Sequence, residues 1–276
     1  MKFGVRAHDF GKSTPEELAG RISKTGASFI QLALSKALKE FESLPRQIPE
    51  AKAEEITSVF KNRGIRISVL GCYFNPGHPD PIIRTEGIQA FQEHLRLAKI
   101  FGTSIVATET GSVREDSSLD SANKGDEAYR MFLSTLEPLV VVAEETDSLV
   151  CIEPAAHHII CTPARVKQVL EDISSRSLGI LLDPVNFLTP GTVGDQEKIM
   201  DACFHLWPDR IKGIHAKDFV VENHELRIVP PGTGGMNYPY LLTLLKQNKV
   251  RVDIILENCS PHAVPSSVAY LNDLGF

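Results

Sequence analysis

The sequence has few cysteines, and none of them forms a redox or zinc motif. The five cysteines are scattered, odd in number and never spaced as CxxC. Reduced structural thiols in a cytosolic protein explain such a pattern. We therefore expect a cytoplasmic protein without disulfide bonds. The cysteines are Cys72, Cys151, Cys161, Cys203 and Cys259.

Long apolar runs and blocks of basic residues are also missing. No apolar stretch reaches the length of a membrane span, and the start of the chain runs directly into a strand-like segment, so no signal peptide is recognised. The net charge is −6, without the clustered lysines and arginines that nucleic acids or membrane surfaces attract. Neither nucleic acid nor a membrane is expected as a partner.

Linkers and low-complexity segments are absent, and the chain instead alternates strand-like with helix-like segments. With 276 residues, 42% of them hydrophobic, it has the size and the core of one α/β barrel. Eight short apolar runs are separated by intervals that each fit one βα unit. The sequence predicts a single (β/α)₈ TIM barrel domain over residues 1–276. The predicted strands are Lys2–Ala7, Ser28–Leu32, Ile65–Leu70, Ser104–Thr108, Leu149–Glu153, Gly179–Asp183, Ile211–His215 and Val252–Glu257.

Helix signals fill the gaps between these strands. Thr14 and Thr162 each precede a proline, as expected where a capped helix begins. Gly64, Gly102 and Gly179 stand between helix and strand, where a left-handed cap is expected. Apolar residues at helical spacing predict five helical segments, one of them beginning after Thr162. These are Ile83–Phe101, Glu127–Glu145, Pro163–Ser175, Gln196–Trp207 and Tyr238–Asn248.

Four metal-ligand residues stand at the ends of predicted strands in the second half of the chain: Glu153, Asp183, His215 and Glu257. A charge at the end of a buried strand is costly unless it has a partner, and a divalent cation is a suitable one. Three carboxylates and one imidazole suit Mn²⁺, Zn²⁺, Co²⁺ or Mg²⁺. Because catalytic residues of (β/α)₈ barrels lie at the C-terminal ends of the strands, we expect one divalent metal ion there.

Short motifs around these residues resemble the sugar phosphate isomerase/epimerase family, within the xylose-isomerase-like barrels. The similarity extends over essentially the whole chain. It implies a metal site on the four residues above, with Glu153 and Glu257 also exchanging the proton of a sugar substrate from opposite sides. The matching motifs are Ile152-Glu-Pro154, Leu182-Asp-Pro-Val-Asn186, Ile214-His-Ala-Lys-Asp218, Pro231-Gly-Thr-Gly-Gly235 and Leu256-Glu-Asn258.

Two positions depart from the pattern of particular members of the superfamily. Ketohexose 3-epimerases have a substrate-holding histidine where this chain has Asn186, and an arginine where it has Val221. These differences argue against a plain ketohexose 3-epimerase. The type-IV AP endonucleases need further histidine and aspartate ligands, and the acidic net charge does not suit DNA binding.

Several further residues are predicted to bind substrate, each with a structural alternative. Asn186 would hold a substrate oxygen or orient a ligand, and His157 and His158 are substrate contacts or packing residues. Lys217 would bind a phosphate or carboxylate, or remain solvated. Arg6 would line the pocket or form a buried ion pair. Glu109 and His8 would likewise line the pocket or belong to a buried ion pair, and Asp218 would orient His215 or be a loop carboxylate.

The four ligands allow more than one reaction. A cation that polarises a sugar carbonyl stabilises the enediolate formed when the neighbouring proton leaves, and return of the proton gives epimerisation or isomerisation. Loss of a β-hydroxyl instead makes the enzyme a dehydratase of an inosose-like or hydroxy-keto acid substrate. We therefore predict a metal-dependent sugar isomerase or epimerase of carbohydrate metabolism, with Mn²⁺ among the candidate metals and the dehydratase as the alternative. A third hypothesis is a barrel that binds a sugar without catalysing a reaction. The resemblance is also compatible with a homo-oligomer.

Overall fold

Eight parallel strands close into a barrel in this protein, which is described by a computed structural model over residues 3–116 and 120–276. Around the barrel the strands follow one another as β1-β10-β7-β6-β5-β4-β3-β2, so that β1 pairs with both β2 and β10. The predicted (β/α)₈ fold is confirmed. The strands are β1 (Gly4–Arg6), β2 (Phe29–Leu32), β3 (Arg66–Gly71), β4 (Ile105–Glu109), β5 (Leu149–Glu153), β6 (Leu178–Leu182), β7 (Ile211–Ala216) and β10 (Asp253–Leu256).

The helices form a layer outside the barrel and pack their apolar faces against the strands. The threonine caps are confirmed, since Thr14 Oγ1 accepts from Glu17 N and Thr162 Oγ1 accepts from Arg165 N. Among the described residues no helix is long and apolar enough to cross a membrane. The helices are α1 (Pro15–Ser23), α2 (Leu34–Ala37), α3 (Glu50–Lys61), α4 (Pro81–Leu97), α5 (Asp126–Thr146), α6 (Pro163–Asp172), α7 (Gln196–Leu206), α8 (Tyr238–Gln247) and α9 (Val264–Asp273).

Predicted and observed boundaries differ by a few residues. Lys2, assigned to the first strand, lies outside the described residues. β6 and β10 end one residue before Asp183 and Glu257, which begin the following loops. Gly64 and Gly102 are left-handed as predicted. Gly179 is not a cap: it lies inside β6, where an added Cβ would come within 2.5 Å of Lys212 Cγ.

An antiparallel hairpin follows β7 and was not predicted. It consists of β8 (Asp218–Glu222) and β9 (Glu225–Val229), joined by Asn223 and His224, which both have positive φ. Two such residues form the tight turn whose twist matches a hairpin. The hairpin places the loop after β9 next to the C-terminal ends of the barrel strands.

The period of two along each strand determines which side chains reach the barrel interior. A small apolar cluster fills the interior, and it includes Cys151 of β5 and Ile255 of β10. Glu153 and Glu257 are each two positions further along and point the same way, toward the C-terminal mouth. Four further interior residues complete the cluster: Phe29, Val69, Ala107 and Leu181.

Candidate active site

The four predicted ligands come together at the C-terminal mouth of the barrel. Glu153, Asp183, His215 and Glu257 are all buried and offer ligand atoms that lie within 4.8 Å of one another. Glu153 ends β5 and Glu257 follows β10, and β6 and β7 lie between those two strands. The two glutamates therefore approach the centre of the cluster from different sides.

His215 is at the centre of this cluster. Its Nδ1 lies 2.9 Å from Glu153 Oε1 and 2.6 Å from Glu257 Oε2. Its other ring nitrogen, Nε2, donates to Gln31 Oε1 at 2.5 Å, and Gln31 donates in turn to Tyr73 Oη at 2.5 Å. Because Gln31 accepts the Nε2 proton, Nδ1 is the nitrogen left to face a metal ion.

Asp183 and Asn186 belong to the turn after β6. Asp183 Oδ1 accepts from the backbone N–H of Val185 at 2.9 Å and of Asn186 at 3.3 Å, which leaves Oδ2 directed into the cluster. Asn186 donates from Nδ2 to Glu153 Oε1 at 2.9 Å and accepts from Lys217 Nζ at 2.6 Å. Of its two predicted roles, the one visible in these contacts is the orientation of a ligand.

Two cations compensate the carboxylates. Lys217 Nζ is 2.9 Å from Asp183 Oδ2 and 3.2 Å from Glu257 Oε1, and the residue is only 6% exposed. Arg6 donates to Glu257 Oε1 at 2.8 Å and pairs with Asp9 at 2.8 Å. The ion pair considered for Arg6 is therefore present. The roles of Lys217 and Arg6 as substrate contacts stay predictions.

The charges of the cluster change the protonation of its members. Burial raises the pKa of Asp183 to about 6, against the opposing effect of Lys217. Burial also disfavours ionised Glu257, but Lys217 and His215 outweigh it and hold its pKa well below the usual range. For His215, burial is outweighed by Glu153 and Glu257, which raise its pKa to about 10. Without a metal, His215 is an imidazolium that lies against both glutamates.

The donor set fits a divalent cation. Asp183 Oδ2 and Glu257 Oε2 are buried and accept no well-directed hydrogen bond from the described residues; each has only an ion-pair contact. Buried carboxylate oxygens directed at one point, beside an imidazole nitrogen, are the ligands that Mn²⁺, Zn²⁺, Co²⁺ and Mg²⁺ use. These residues could therefore hold one such ion.

The two histidines after β5 occupy different environments. His157 is exposed, whereas His158 is buried beneath it, with the ring centroids 4.2 Å apart. Burial, together with the charges of His157 and Lys217, lowers the pKa of His158 to about 3. His158 is thus neutral near pH 7, and its Nδ1 has no hydrogen-bond partner among the described residues. Substrate binding by either histidine stays a prediction.

Glu109 and His8 lie on the neighbouring side of the same mouth. Glu109 ends β4 in register with Glu153, and burial, followed by the charge of Glu153, raises its pKa. It lines a cavity of about 620 Å³ together with Tyr73 and Lys36. His8 stands edge-on to Tyr73 at 6.1 Å, and burial, with the charges of Arg6 and Lys36, lowers its pKa to about 3.

Asp218 does not orient His215 in the way considered from the sequence. Its carboxylate is 1% exposed and accepts four backbone N–H bonds. Oδ1 binds Phe219 N and Met236 N, both at 2.8 Å, while Oδ2 binds Gly232 N at 3.0 Å and Gly234 N at 2.9 Å. Asp218 therefore holds the glycine-rich loop after β9 against the site.

Gln31 and Tyr73 were missed by the sequence argument. Gln31 is completely buried in β2, within the run Phe29-Ile-Gln-Leu32. A polar residue inside an apolar strand is a usable signal, because buried amides require hydrogen-bond partners. Tyr73 lies in the loop after β3, and its local sequence gives no sign of a role in the site.

Comparison with known proteins agrees with the fold. The family model described as "Xylose isomerase-like TIM barrel" matches residues 20–274, and the chain belongs to this family. No curated protein matches the sequence.

The solved structures of similar fold include proteins described as enzymes that catalyse different reactions. The apo form of 3-keto-D-glucoside 4-epimerase YcjR from E. coli is 17% identical, with a TM-score of 0.75 and 99% of each chain covered. The probable 3-DHS dehydratase AsbF from Bacillus anthracis is 15% identical, with a TM-score of 0.73 and 99% of each chain covered. The IOLI protein with a bound zinc atom is 14% identical, with a TM-score of 0.73, over 99% of this chain and 96% of that one. At these identities the likeness concerns the fold.

Proposed function

We propose that the protein is a divalent-metal-dependent isomerase or epimerase of a small keto-sugar or sugar derivative. The observation that carries this proposal is the buried cluster of Glu153, Asp183, His215 and Glu257 at the C-terminal mouth of the barrel. The epimerase and the zinc-bound protein among the structural neighbours support it. A bound divalent cation would polarise the carbonyl of a sugar and favour loss of the adjacent proton.

Glu153 and Glu257 are the proposed acid and base. One of the two, as a carboxylate, takes the proton from the carbon beside the carbonyl. The other, as a carboxylic acid, donates a proton to the opposite face or to the adjacent carbon. Their approach from strands separated by β6 and β7 suits a substrate lying between them. The side chain of Asn186 fixes Glu153, and Arg6 and Lys217 fix Glu257.

The test is exchange of the substrate proton with solvent. Wild-type protein loaded with Mn²⁺ is incubated with a panel of keto-sugars in D₂O, and deuterium beside the carbonyl is followed by NMR. Glu153→Gln and Glu257→Gln should each slow the exchange by about 10²–10⁴-fold, the usual contribution of a positioned acid or base. Glu145→Gln, an exposed residue of α5, is the control and should exchange like wild type. Full activity in both test variants would remove the acid/base assignment.

The alternative is a metal-dependent dehydratase, and Glu109 is the observation that favours it. Loss of a hydroxyl group needs a proton donor, and burial raises the pKa of Glu109 at the same mouth. The probable 3-DHS dehydratase among the structural neighbours supports this alternative. Formation of an absorbing enone without deuterium exchange in recovered substrate would favour this alternative.

A further inference from the structure

The opposite, N-terminal end of the barrel has a cavity of about 900 Å³. It lies where β4, β7 and β10 begin, and it extends outward under α8 to the residues after α9. The metal-ligand cluster is at the other ends of the strands, so the two sites are separated by the length of the barrel. The volume is within the range of about 300–1,000 Å³ of small-molecule sites.

The walls of this cavity are apolar. Leu242 and Leu245 come from α8, Ile254 from β10, and Phe276 from the segment after α9, and each is less than 10% exposed. Val250 and Val252 are half-buried at the opening. Contact with these groups would stabilise an alkyl or aryl body through burial of its apolar surface.

The rim of the cavity is cationic. Lys246, Lys249 and Arg251 are exposed there, and Lys212 is half-buried beside them. Within residues 3–116 and 120–276 none of these four side chains forms an ion pair; Lys212 donates to a backbone carbonyl, that of Asp209. Four unpaired cations in a chain of net charge −6 are a local concentration of positive charge that attracts anions.

The acidic residue of the lining does not neutralise this charge. Asp253 binds Arg66 at 2.5 Å through Oδ1 and accepts from Ser68 Oγ through Oδ2. Both of its oxygens are therefore engaged, away from the lysines. The positive charge of the rim is left for a ligand.

We propose that this cavity is a second binding site, for an amphiphilic anion with an apolar alkyl or aryl body and a phosphate, sulfate or carboxylate head. The apolar body lies against Leu242, Leu245 and Phe276. The head is held by Lys246, Lys249 and Arg251. The site is independent of the metal cluster and of the reaction proposed for it.

The test uses octyl phosphate as the probe, with binding measured by isothermal titration calorimetry on the full chain at low salt. Octyl phosphate should bind at least about ten times more tightly than inorganic phosphate, which has the charge alone, and than octyl glucoside, which has the chain alone. Equal affinity for inorganic phosphate or for octyl glucoside, or no binding of octyl phosphate at millimolar concentration, would overturn the proposal.

Charge reversal on the rim gives the second readout. The double variant Lys246→Glu plus Lys249→Glu should lose at least about tenfold in affinity for octyl phosphate. Lys24→Glu plus Lys61→Glu is the matched control, because these exposed lysines follow or end α1 and α3 outside the cavity. The control should bind like wild type; an equal loss in both would indicate attraction by net charge only. Val250→Asp places a carboxylate in the lining of the cavity and should also abolish binding of octyl phosphate. Circular dichroism of this variant should match that of the wild type and so show that it is folded.

Discussion

At the scale of single residues, the neighbours of a buried titratable group decide whether it carries charge. His215 is held as a cation by two carboxylates, whereas His94, with no acidic neighbour, is kept neutral. His94 is completely buried in α4, and its Nδ1 lies 2.7 Å from the carbonyl oxygen of Ala90, to which it donates. Its Nε2 has no hydrogen-bond partner among the described residues. A proton added there would create a buried charge without a partner, which costs stability.

His94 should make the protein sensitive to acid. Burial lowers its pKa from 6.5 to about 4, so below pH 6.5 the unfolded chain binds a proton that the folded chain refuses. The contribution of neutral His94 to the free energy of unfolding is therefore fully present above pH 6.5, and it is lost as the pH falls toward 4. At pH 5 the loss amounts to about 2 kcal/mol. His94→Leu should remove this part of the loss between pH 7.5 and pH 5, measured by urea unfolding in EDTA.

His205→Leu is the control for that measurement, since His205 is an exposed histidine of α7. It should keep the pH dependence of the wild type. If His94→Leu loses as much stability on acidification as wild type does, the buried neutral histidine is not the cause.

At the scale of secondary-structure elements, the hairpin β8–β9 and the loop after it depend on one carboxylate. Asp218 accepts hydrogen bonds from four backbone N–H groups, three of them in the loop. Gly234 allows this close packing, because an added Cβ would come within 2.2 Å of Phe219 O. A short glycine-rich segment is thereby kept in place above the barrel mouth.

Asp218→Asn should release this loop. The amide replaces an acceptor oxygen with an NH₂ group that faces backbone donors, so about two charge-assisted bonds are lost, on the order of 3 kcal/mol. Urea unfolding should show that loss, and limited proteolysis should cut within residues 230–237. Asp201→Asn, whose exposed carboxylate accepts a hydrogen bond from the hydroxyl of Tyr240, should change both readouts little. Unchanged stability and protease resistance in Asp218→Asn would contradict the anchoring role.

The same elements explain what could be predicted from the sequence. Apolar runs located the eight barrel strands because each is buried on both faces. The clustering of the four candidate ligands followed from their position at the strand ends. The hairpin was missed because a single residue, Lys217, separates β7 from β8. In the sequence, β8 therefore cannot be distinguished from the end of β7 and the loop that follows it. Gly179 was misplaced because its role is close packing against Lys212, which local sequence does not reveal.

At the scale of the whole molecule, the candidate metal site exists only when the barrel is closed. Its ligands come from β5, β7 and the residues after β6 and β10, so an unfolded chain cannot present them together. A metal that binds the folded state alone stabilises it by mass action, by about 2.7 kcal/mol when its free concentration is a hundred times the dissociation constant. Folding and metal binding are therefore linked.

Addition of Mn²⁺ or Zn²⁺ to EDTA-treated protein should raise Tm by several degrees, in a concentration-dependent way. His215→Ala should abolish most of this shift, because it removes the central nitrogen ligand. His262→Ala, at an exposed position after β10, serves as the control and should keep the shift. A Tm that rises equally in His215→Ala and wild type would show that the metal binds elsewhere.

The pairing of β1 with β10 has a consequence for synthesis of the protein on the ribosome. A nascent chain that ends after α8 already contains seven of the eight barrel strands, yet β1 and β7 each still lack a neighbour. Unpaired strand edges are prone to intermolecular association. The segment that closes them, Asp253–Leu256, is followed immediately by Glu257, so the nascent barrel gains its last strand and its last metal-ligand residue together. Until then both open edges of the growing barrel are exposed to pairing with another chain.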